Sequence, residues 1–218
     1  MSWKYILFDL DGTITDSREG IIKCVEYALN AAGVPIPPMG KMYQFMGPPL
    51  VDGFQNIMGM SYEEAVEATR KYRERYSVTG LYENKLFDGI DEVLKTLHEK
   101  GYQVILATSK PEEYSVKILE HFGIAQYFNE IVGSTLDGSR DCKRDVIQEA
   151  FRRTGISEEE KKSTIMIGDR KHDMIGAREC GIASCGVYYG FASEPELEEN
   201  GADYILHEVS ELLPFLLG

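Results

Sequence analysis

Apolar segments of strand length alternate with amphipathic segments of helix length along most of this 218-residue chain. A glycine follows each of these helical segments, and glycine commonly ends a helix because it adopts the left-handed conformation at little cost. Strands separated by helices pair in parallel, and a parallel sheet is covered by helices on both faces. The alternation therefore predicts an α/β fold built on a mostly parallel sheet. The predicted strands span 3–8, 103–107, 130–132, 164–167 and 184–187, and the predicted helices span 17–32, 90–100, 112–122, 144–154 and 174–180.

One segment, residues 15–85, interrupts the alternation. Five prolines lie between residues 34 and 50, which predicts turns and short helices there. Ser61 and Glu64 form the pattern of a capping box, in which two residues satisfy each other's backbone N–H groups at a helix start. No strand pattern occurs between Thr15 and Leu81. We therefore predict two domains, an α/β core formed by 1–14 and 86–218 and a small helical domain, 15–85, inserted after the first strand.

The charge balance is acidic, with 23 Lys and Arg against 36 Asp and Glu and a formal net charge of −13. Binding a nucleic acid polymer requires a positive field, so that function is not expected. No apolar stretch approaches the ~20 residues of a membrane-spanning helix, and the first apolar run stops at Asp9, too early for a secretory signal. The four cysteines form no C-x-x-C pair, which suits reduced thiols. We expect a cytoplasmic protein that does not act at a membrane.

Carboxylates follow two of the predicted strands. Asp9 and Asp11 come directly after the first strand, and Asp169 and Asp173 follow strand 164–167. Ligands of parallel α/β sheets bind beyond the carboxyl ends of the strands, so these four side chains are expected to converge. Clustered carboxylates repel one another unless a cation neutralises them. Because carboxylate oxygens without Cys or His ligands suit Mg²⁺, the pattern favours a magnesium site.

Two further strand ends carry polar residues. Thr108 and Ser109 follow strand 103–107, and Lys143 opens the helix after strand 130–132. Taken alone, Thr108 could be a helix cap and Lys143 a solvated lysine. Local structure explains each of these residues separately, but it does not explain why a hydroxyl and an ammonium occur at the same sheet edge as four acids.

The chain resembles the haloacid dehalogenase-like (HAD) phosphatase superfamily, whose four motifs are matched in order by Asp9-x-Asp11-Gly-Thr13, Thr108, Lys143 and Gly168-Asp169-x-x-x-Asp173. The strings at 45–50, 81–84 and 168–173 look most like its phosphoglycolate phosphatase and 5′-nucleotidase-like branch. The resemblance covers essentially the whole chain. It implies a Rossmann-like α/β core and a helical cap domain at 15–85.

The resemblance also implies a role for each acid. Asp9 would be the nucleophile that forms an aspartyl-phosphate, and Asp11 would be the general acid and then the general base. Mg²⁺ would be bound by Asp9, by the backbone carbonyl of Asp11 and by Asp169. Asp173 would contact the metal through water.

The phosphoryl oxygens would be bound by two of the other residues. Thr108 would donate a hydrogen bond to them, and Lys143 would supply a positive charge. Ser109 is a further expected phosphate-binding residue; it stands where the family often has Asn, so it offers a hydroxyl in place of an amide.

The cap domain of this family selects the leaving group. Its candidate substrate contacts here are polar side chains, namely Lys41, Tyr43, Gln44 and Arg75, together with the turn Gly47-Pro48-Pro49. Each of them could equally be a solvated side chain, and Tyr43 a packed aromatic.

These features predict a Mg²⁺-dependent phosphomonoester hydrolase, as a monomer or homodimer, that acts on a small phosphoglycolate-like or 5′-nucleotide metabolite. Two alternatives stay open. A β-phosphoglucomutase-like phosphotransferase would share every core motif. A phospho-acceptor signalling module would gather similar residues at strand ends, although the helical insert after Asp9-x-Asp11 disfavours it. The acid at position 11 argues against a haloacid dehalogenase in the strict sense.

Overall fold

The computed structural model describes residues 3–47 and 49–218. It divides into two compact units, which we call the core unit (Met1–Asp16 and Leu86–Gly218) and the helical unit (Ser17–Lys85). The strands are β1 (Tyr5–Phe8), β2 (Thr15–Asp16), β3 (Lys85–Leu86), β4 (Gln103–Pro111), β5 (Glu130–Ser134), β6 (Thr164–Gly168), β7 (Ala183–Val187) and β8 (Tyr204–Leu206). The α-helices are α1 (Arg18–Ala31), α2 (Met39–Met42), α3 (Leu50–Met58), α4 (Tyr62–Tyr76), α5 (Ile90–Glu99), α6 (Glu112–His121), α7 (Lys143–Thr154), α8 (Lys171–Cys180), α9 (Glu196–Glu199) and α10 (Leu212–Leu217). Short 3₁₀ helices lie at Tyr43–Phe45, Gly80–Tyr82, Ala125–Tyr127, Glu160–Ser163 and Val209–Glu211.

Six strands of the core unit form a parallel sheet in the order β5-β4-β1-β6-β7-β8. Strand β1 lies inside it, with Leu7 level with Ile105 of β4 and with Met166 of β6. All four residues of β1 are buried, as expected for a strand covered on both faces. The prediction of an α/β fold with a mostly parallel sheet is confirmed. The carboxyl ends of β4, β1 and β6 are therefore neighbours at one edge.

Two features of the sheet differ from the sequence-based expectation. Strand β8 was not predicted, because three residues within an acidic stretch are too few to show a strand pattern. Strand β4 is longer than the predicted 103–107, and its register against β5 shifts between Ala107 and Pro111. The residues from 108 to 110 therefore lie in an irregular extension of the strand.

Helix α7 covers one face of this sheet. Its Val146 and Ile147 share a buried apolar cluster with Leu7 of β1 and Ile105 of β4. Burial of side chains of this size is the main favourable contribution to folding. Because Lys143 is the first residue of α7, the same packing holds it at the carboxyl edge of the sheet.

The helical unit packs α1 and α3 against α4. The predicted capping box is confirmed, since the Ser61 side chain accepts the N–H of Glu64 and the Glu64 carboxylate accepts the N–H of Ser61. Pro48, part of the predicted substrate-contacting turn, lies outside the described residues. Among the residues that the structure describes, no helix combines the length and the apolar character that a bilayer crossing requires.

Candidate active site

The loop after β1 places two acids at the carboxyl edge of the sheet. The backbone N–H of Asp9 donates to the Ile167 carbonyl at 2.9 Å, so Asp9 continues the pairing of β1 with β6. The chain then turns sharply, and the N–H of Thr15 donates to the Leu10 carbonyl at 2.9 Å. This turn keeps both Asp9 and Asp11 at the edge.

Gly12 makes the turn compatible with a neighbouring acid. Its φ is +84°, and a Cβ at this position would lie 2.0 Å from Oδ2 of Asp169. A side chain here would therefore be excluded by both backbone strain and direct overlap. The glycine of the Asp-Gly-Thr string is thus required for the close approach of the loop to Asp169.

Lys143 inserts its ammonium between the acids. Its Nζ lies 3.0 Å from Oδ1 of Asp9 and 2.8 Å from Oδ1 of Asp173, and it donates to the Ala107 carbonyl at 2.8 Å. Burial alone would lower the pKa of Lys143, but the carboxylates of Asp173 and Asp9 outweigh it and the pKa is raised. Lys143 therefore carries a positive charge at neutral pH.

Three carboxylates at this edge form a group that could hold a cation. Asp9, Asp169 and Asp173 offer oxygens that all lie within 4.8 Å of one another. Burial raises the pKa of Asp169 well above its usual value, and the charges of Asp173 and Asp9 raise it further. Burial also raises the pKa of Asp173 to about 6, although Lys143 opposes this change. One ammonium balances only one of three carboxylates, so the donor set fits a divalent cation, and its oxygens suit Mg²⁺.

Contacts that the sequence analysis did not identify hold Asp169 in place. Its Oδ2 accepts the N–H of Phe191 at 2.8 Å, and its Oδ1 accepts the hydroxyl of Thr13 at 3.3 Å. A Cβ at Gly190 would lie 2.4 Å from Cβ of Asp169. The hydroxyl of Tyr189 donates to the Thr13 carbonyl at 3.0 Å. The chain after β7 therefore positions both Asp169 and the loop after β1, and no sequence motif indicated this.

The irregular end of β4 carries the predicted phosphate-binding residues. Thr108 is buried, and its Oγ1 accepts the N–H of Lys110 at 3.2 Å. Ser109 is exposed beside it. Lys110 was missed by the sequence analysis, although its ammonium contacts Oδ2 of Asp11. A lysine near a strand end gives no signal that separates it from a solvated lysine.

The predicted substrate contacts of the helical unit differ in their surroundings. Lys41, Tyr43 and Gln44 are exposed. Arg75 is partly buried and donates to both carboxylate oxygens of Glu83, at 2.6 and 3.0 Å. That pairing gives Arg75 a structural partner inside the helical unit, and its contact with substrate stays a prediction.

The sheet edge brings together the groups that phosphoryl transfer requires. Transfer from a phosphate ester needs an in-line nucleophile, positive charge around the phosphoryl oxygens and a proton for the leaving group. The edge supplies a carboxylate beside an ammonium, a set of oxygen donors suited to a divalent cation, a buried hydroxyl and a second acid. The structure thus places Asp9, Lys143, Asp169 and Asp173 in one cluster, with Thr108 and Asp11 at neighbouring strand ends.

Comparisons with known proteins agree with this chemistry. Residues 6–187 match the family described as "Haloacid dehalogenase-like hydrolase". The chain is 43% identical over 207 residues to a 5′-nucleotidase of Pseudomonas aeruginosa, which covers 95% of this chain and 92% of that protein. It is 38% identical over 203 residues to the tyrosine-protein kinase PtkA of Mycobacterium tuberculosis, which covers 93% of this chain and 68% of that protein.

A solved structure agrees as well. The fold matches a crystal structure described as a "predicted phosphatase" from Clostridium acetobutylicum with a TM-score of 0.93 and 43% identity, covering 100% of this chain and 99% of that one. The family match spans most of the chain and includes every motif residue named above from Asp9 to Asp173. The chain therefore belongs to the haloacid dehalogenase-like hydrolase family and is a phosphatase of that family.

Proposed function

We propose that the protein is a Mg²⁺-dependent phosphomonoester hydrolase that works through an aspartyl-phosphate on Asp9. The observation that carries the proposal is the buried group of Asp9, Asp169 and Asp173 around one ammonium, that of Lys143. Uncompensated charge in a buried site is costly. A bound divalent cation would remove that cost and reduce the repulsion between an anionic nucleophile and an anionic phosphate.

In the first half-reaction, a carboxylate oxygen of Asp9 attacks phosphorus. The bond from Asp9 to phosphorus forms as the ester P–O bond breaks, and Asp11 gives its proton to the leaving oxygen. Thr108 and Lys143 hold the phosphoryl oxygens through a hydroxyl and an ammonium. Ser109 stands next to Thr108 as a further hydroxyl donor.

In the second half-reaction, water attacks the phosphorus of the aspartyl-phosphate. Asp11, now ionised, takes a proton from this water as the bond between Asp9 and phosphorus breaks. Inorganic phosphate leaves, Asp9 is again a carboxylate, and Asp11 is again protonated for the next cycle.

The substrate that we propose is a small phosphorylated metabolite, either a 5′-nucleotide or a phosphoglycolate-like acid. Similarity to a protein named 5′-nucleotidase supports the first of these. The segment 15–85 has nine acids and eight bases, so its near-neutral charge does not repel an anionic substrate as strongly as the rest of the chain. The exposed Lys41, Tyr43 and Gln44 are the side chains that we expect to influence the choice between the two.

The test is phosphate release from p-nitrophenyl phosphate by the wild type and by Asp9→Asn. The substitution keeps the shape of the side chain and removes the nucleophilic oxygen, so hydrolysis should fall to the background rate. Asp91→Asn, which changes an exposed acid in the first turn of α5, is the matched control and should retain full activity. Retained turnover by Asp9→Asn would refute the covalent mechanism.

The same assay separates the hydrolase from the alternative phosphotransferase. Both would use the same core residues, but a hydrolase releases inorganic phosphate, whereas a mutase returns the phosphoryl group to its sugar. A panel of phosphoglycolate, 5′-nucleotides and hexose phosphates, ranked by kcat/KM, identifies the substrate class. Interconversion of hexose phosphates without phosphate release would favour the β-phosphoglucomutase-like activity.

A further inference from the structure

Lys110 reaches the candidate active site from the irregular end of β4. The register of β4 against β5 shifts between Ala107 and Pro111, so residue 110 lies outside the regular ladder. Its backbone N–H donates to Oγ1 of Thr108, which fixes this part of the backbone beside a phosphate-binding candidate. The side chain is only 7% exposed, and its ammonium contacts Oδ2 of Asp11. Lysines are rarely this buried unless they are paired, so Lys110 is not an ordinary surface lysine.

The two carboxylate oxygens of Asp11 have different surroundings. Oδ2 contacts Lys110, whereas Oδ1 is buried and has no hydrogen-bond partner among the residues that the structure describes. A buried acceptor without a partner costs free energy and is rare in native proteins. Oδ1 is shielded from solvent, so the ammonium of Lys110 at Oδ2 is the polar contact that fixes this carboxylate.

Two lysines of the site thus contact different acids. The ammonium of Lys143 lies against Asp9 and Asp173, on the side of the nucleophile and the cation. The ammonium of Lys110 lies against Asp11, the acid assigned to the leaving group. Removing the ammonium of Lys110 should therefore impair protonation of the leaving group, whereas removing that of Lys143 should impair attack by the nucleophile.

We propose that Lys110 is a positioning residue, which holds the carboxylate of Asp11 through Oδ2 at the side of the leaving group. The proton moves from the Asp11 carboxyl to the leaving oxygen as the ester P–O bond breaks. In the second half-reaction, a proton of the attacking water moves to the Asp11 carboxylate as the bond between Asp9 and phosphorus breaks. The inference rests on the proposed function, because it requires Asp11 to be the general acid. Orientation is important here, since a displacement of about 1 Å in a reacting group can cost about 10²-fold in rate.

The test compares leaving groups. The p-nitrophenolate ion leaves without a proton, whereas the alkoxide of 2-phosphoglycolate or of a 5′-nucleoside monophosphate requires one. Of these two alkyl esters, the one that the wild type hydrolyses faster serves as the alkyl substrate in the test. Lys110→Met keeps the length of the side chain and removes the ammonium. We expect its kcat/KM to fall about 10²-fold on the alkyl ester and less than about 10-fold on p-nitrophenyl phosphate.

Two controls separate positioning from a general loss of structure. Lys95→Met removes an exposed ammonium from α5 and should leave kcat/KM unchanged for both substrates. Lys110→Met should retain the rise in Tm on adding Mg²⁺, because Asp169 and Asp173 are unchanged. In an Asp11→Asn background, Lys110→Met should lower kcat/KM for the alkyl ester by less than about a further 3-fold, because the effects of residues that act through one another are not additive.

The outcomes decide between distinct failures. If Lys110→Met lowers kcat/KM equally for both substrates, Lys110 contributes only to phosphate binding. If it lowers kcat/KM for neither substrate, Lys110 has no role in the reaction. Either result contradicts the inference. If the wild type releases phosphate from no ester, or Asp11→Asn shows no leaving-group pattern, the proposed function fails. If Asp11→Asn shows the pattern and Lys110→Met does not, only the role of Lys110 fails. Should Lys110→Met not fold, the same comparison is made with Lys110→Arg, which is expected to slow the alkyl ester only when Asp11 is present.

Discussion

The core unit and the helical unit both combine acids with basic partners, but they bury them to different extents. At the carboxyl edge of the sheet, the side chains of Lys143 and Asp173 are 3% and 1% exposed. On α4, Arg70 pairs with Glu67 and Glu74, and its side chain is 54% exposed. The same residue types therefore occupy two very different environments.

This difference separates ion pairs that hardly affect the stability of the fold from charged groups that destabilise it. Exposed ion pairs along a helix contribute little, because water and salt screen them. Buried carboxylates beside one another destabilise the folded chain, and such arrangements are typical of functional sites. We therefore expect substitutions in the core cluster to change activity strongly and substitutions on α4 to change almost nothing.

Removal of the metal should have the largest effect. Chelation should reduce phosphate release to background and added Mg²⁺ should restore it, because Asp9, Asp169 and Asp173 outnumber the single ammonium of Lys143. A ligand that binds only the folded state also raises its stability, by about 2.7 kcal/mol at one hundred times Kd. A melting curve with and without Mg²⁺ measures this, and Asp169→Asn should abolish the shift while Asp91→Asn retains it. Full activity in excess chelator would contradict the metal site.

A substitution of Gly190 should have the next largest effect. In Gly190→Ala the new Cβ would lie 2.2 Å from the Gly12 carbonyl oxygen and 2.4 Å from Cβ of Asp169. Overpacking of this kind costs about 1–3 kcal/mol, and displacement of Asp169 should also weaken Mg²⁺ binding. Denaturant unfolding and a Mg²⁺ titration measure the two effects.

Gly40→Ala is the matched control in the helical unit. No atom lies within 4 Å of a Cβ at Gly40, so this variant should be as stable as the wild type or slightly more stable. If both alanine variants unfold at the same denaturant concentration, the tight packing around Asp169 does not stabilise the site as described.

Substitutions at the exposed candidates of the helical unit should change specificity rather than chemistry. Tyr43→Ala should lower kcat/KM for the preferred metabolite by about 10-fold, the equivalent of one lost contact, and leave p-nitrophenyl phosphate unchanged. Tyr62→Ala removes another exposed tyrosine of this unit, on α4, and should leave kcat/KM unchanged for both substrates. An equal response of the two variants would exclude Tyr43 as a substrate contact.

The smallest effect is expected on the outer surface of α4. Hydrogen bonding to Arg70 lowers the pKa of Glu67, so this pair contributes fully above the ordinary carboxyl range, and its contribution is lost as the pH falls through the lowered pKa. Arg70→Gln should leave activity unchanged and produce no resolvable change in Tm at neutral pH. A clear fall in Tm would show that the exposed ion pairs of α4 stabilise the fold more than their exposure predicts.

Much of the fold could be predicted because it follows from local pattern. The strands β1, β6 and β7 and the start of β4 were predicted at nearly their observed positions, since each is a buried run of apolar residues next to a glycine-terminated helix. The capping box of Ser61 and Glu64 was predicted for the same reason, because both partners lie within one helical turn. Strand β8 was missed because its pairing with β7 depends on the sheet and not on a pattern of its own.

The candidate site divides in the same way. Asp9, Asp169 and Lys143 were expected to converge because parallel strands end at one edge of a sheet, so their position in sequence implies their position in space. That rule does not show which acid Lys110 contacts, and it does not identify Phe191. Lys110 contacts Asp11 because the register of β4 shifts after Ala107, and the Phe191 N–H binds Asp169 because the chain after β7 passes against it.

The α/β class, the order of the acids and the sheet edge at which they meet thus follow from the sequence, because hydrophobic periodicity and the alternation of strands and helices along the chain are local properties. Tertiary structure alone decided how deeply Asp169 and Asp173 are buried, which lysine contacts which acid, and which oxygen of Asp11 is left without a partner. These depend on contacts between segments far apart in the chain, and the free energies of burial and charge pairing act only once those contacts have formed.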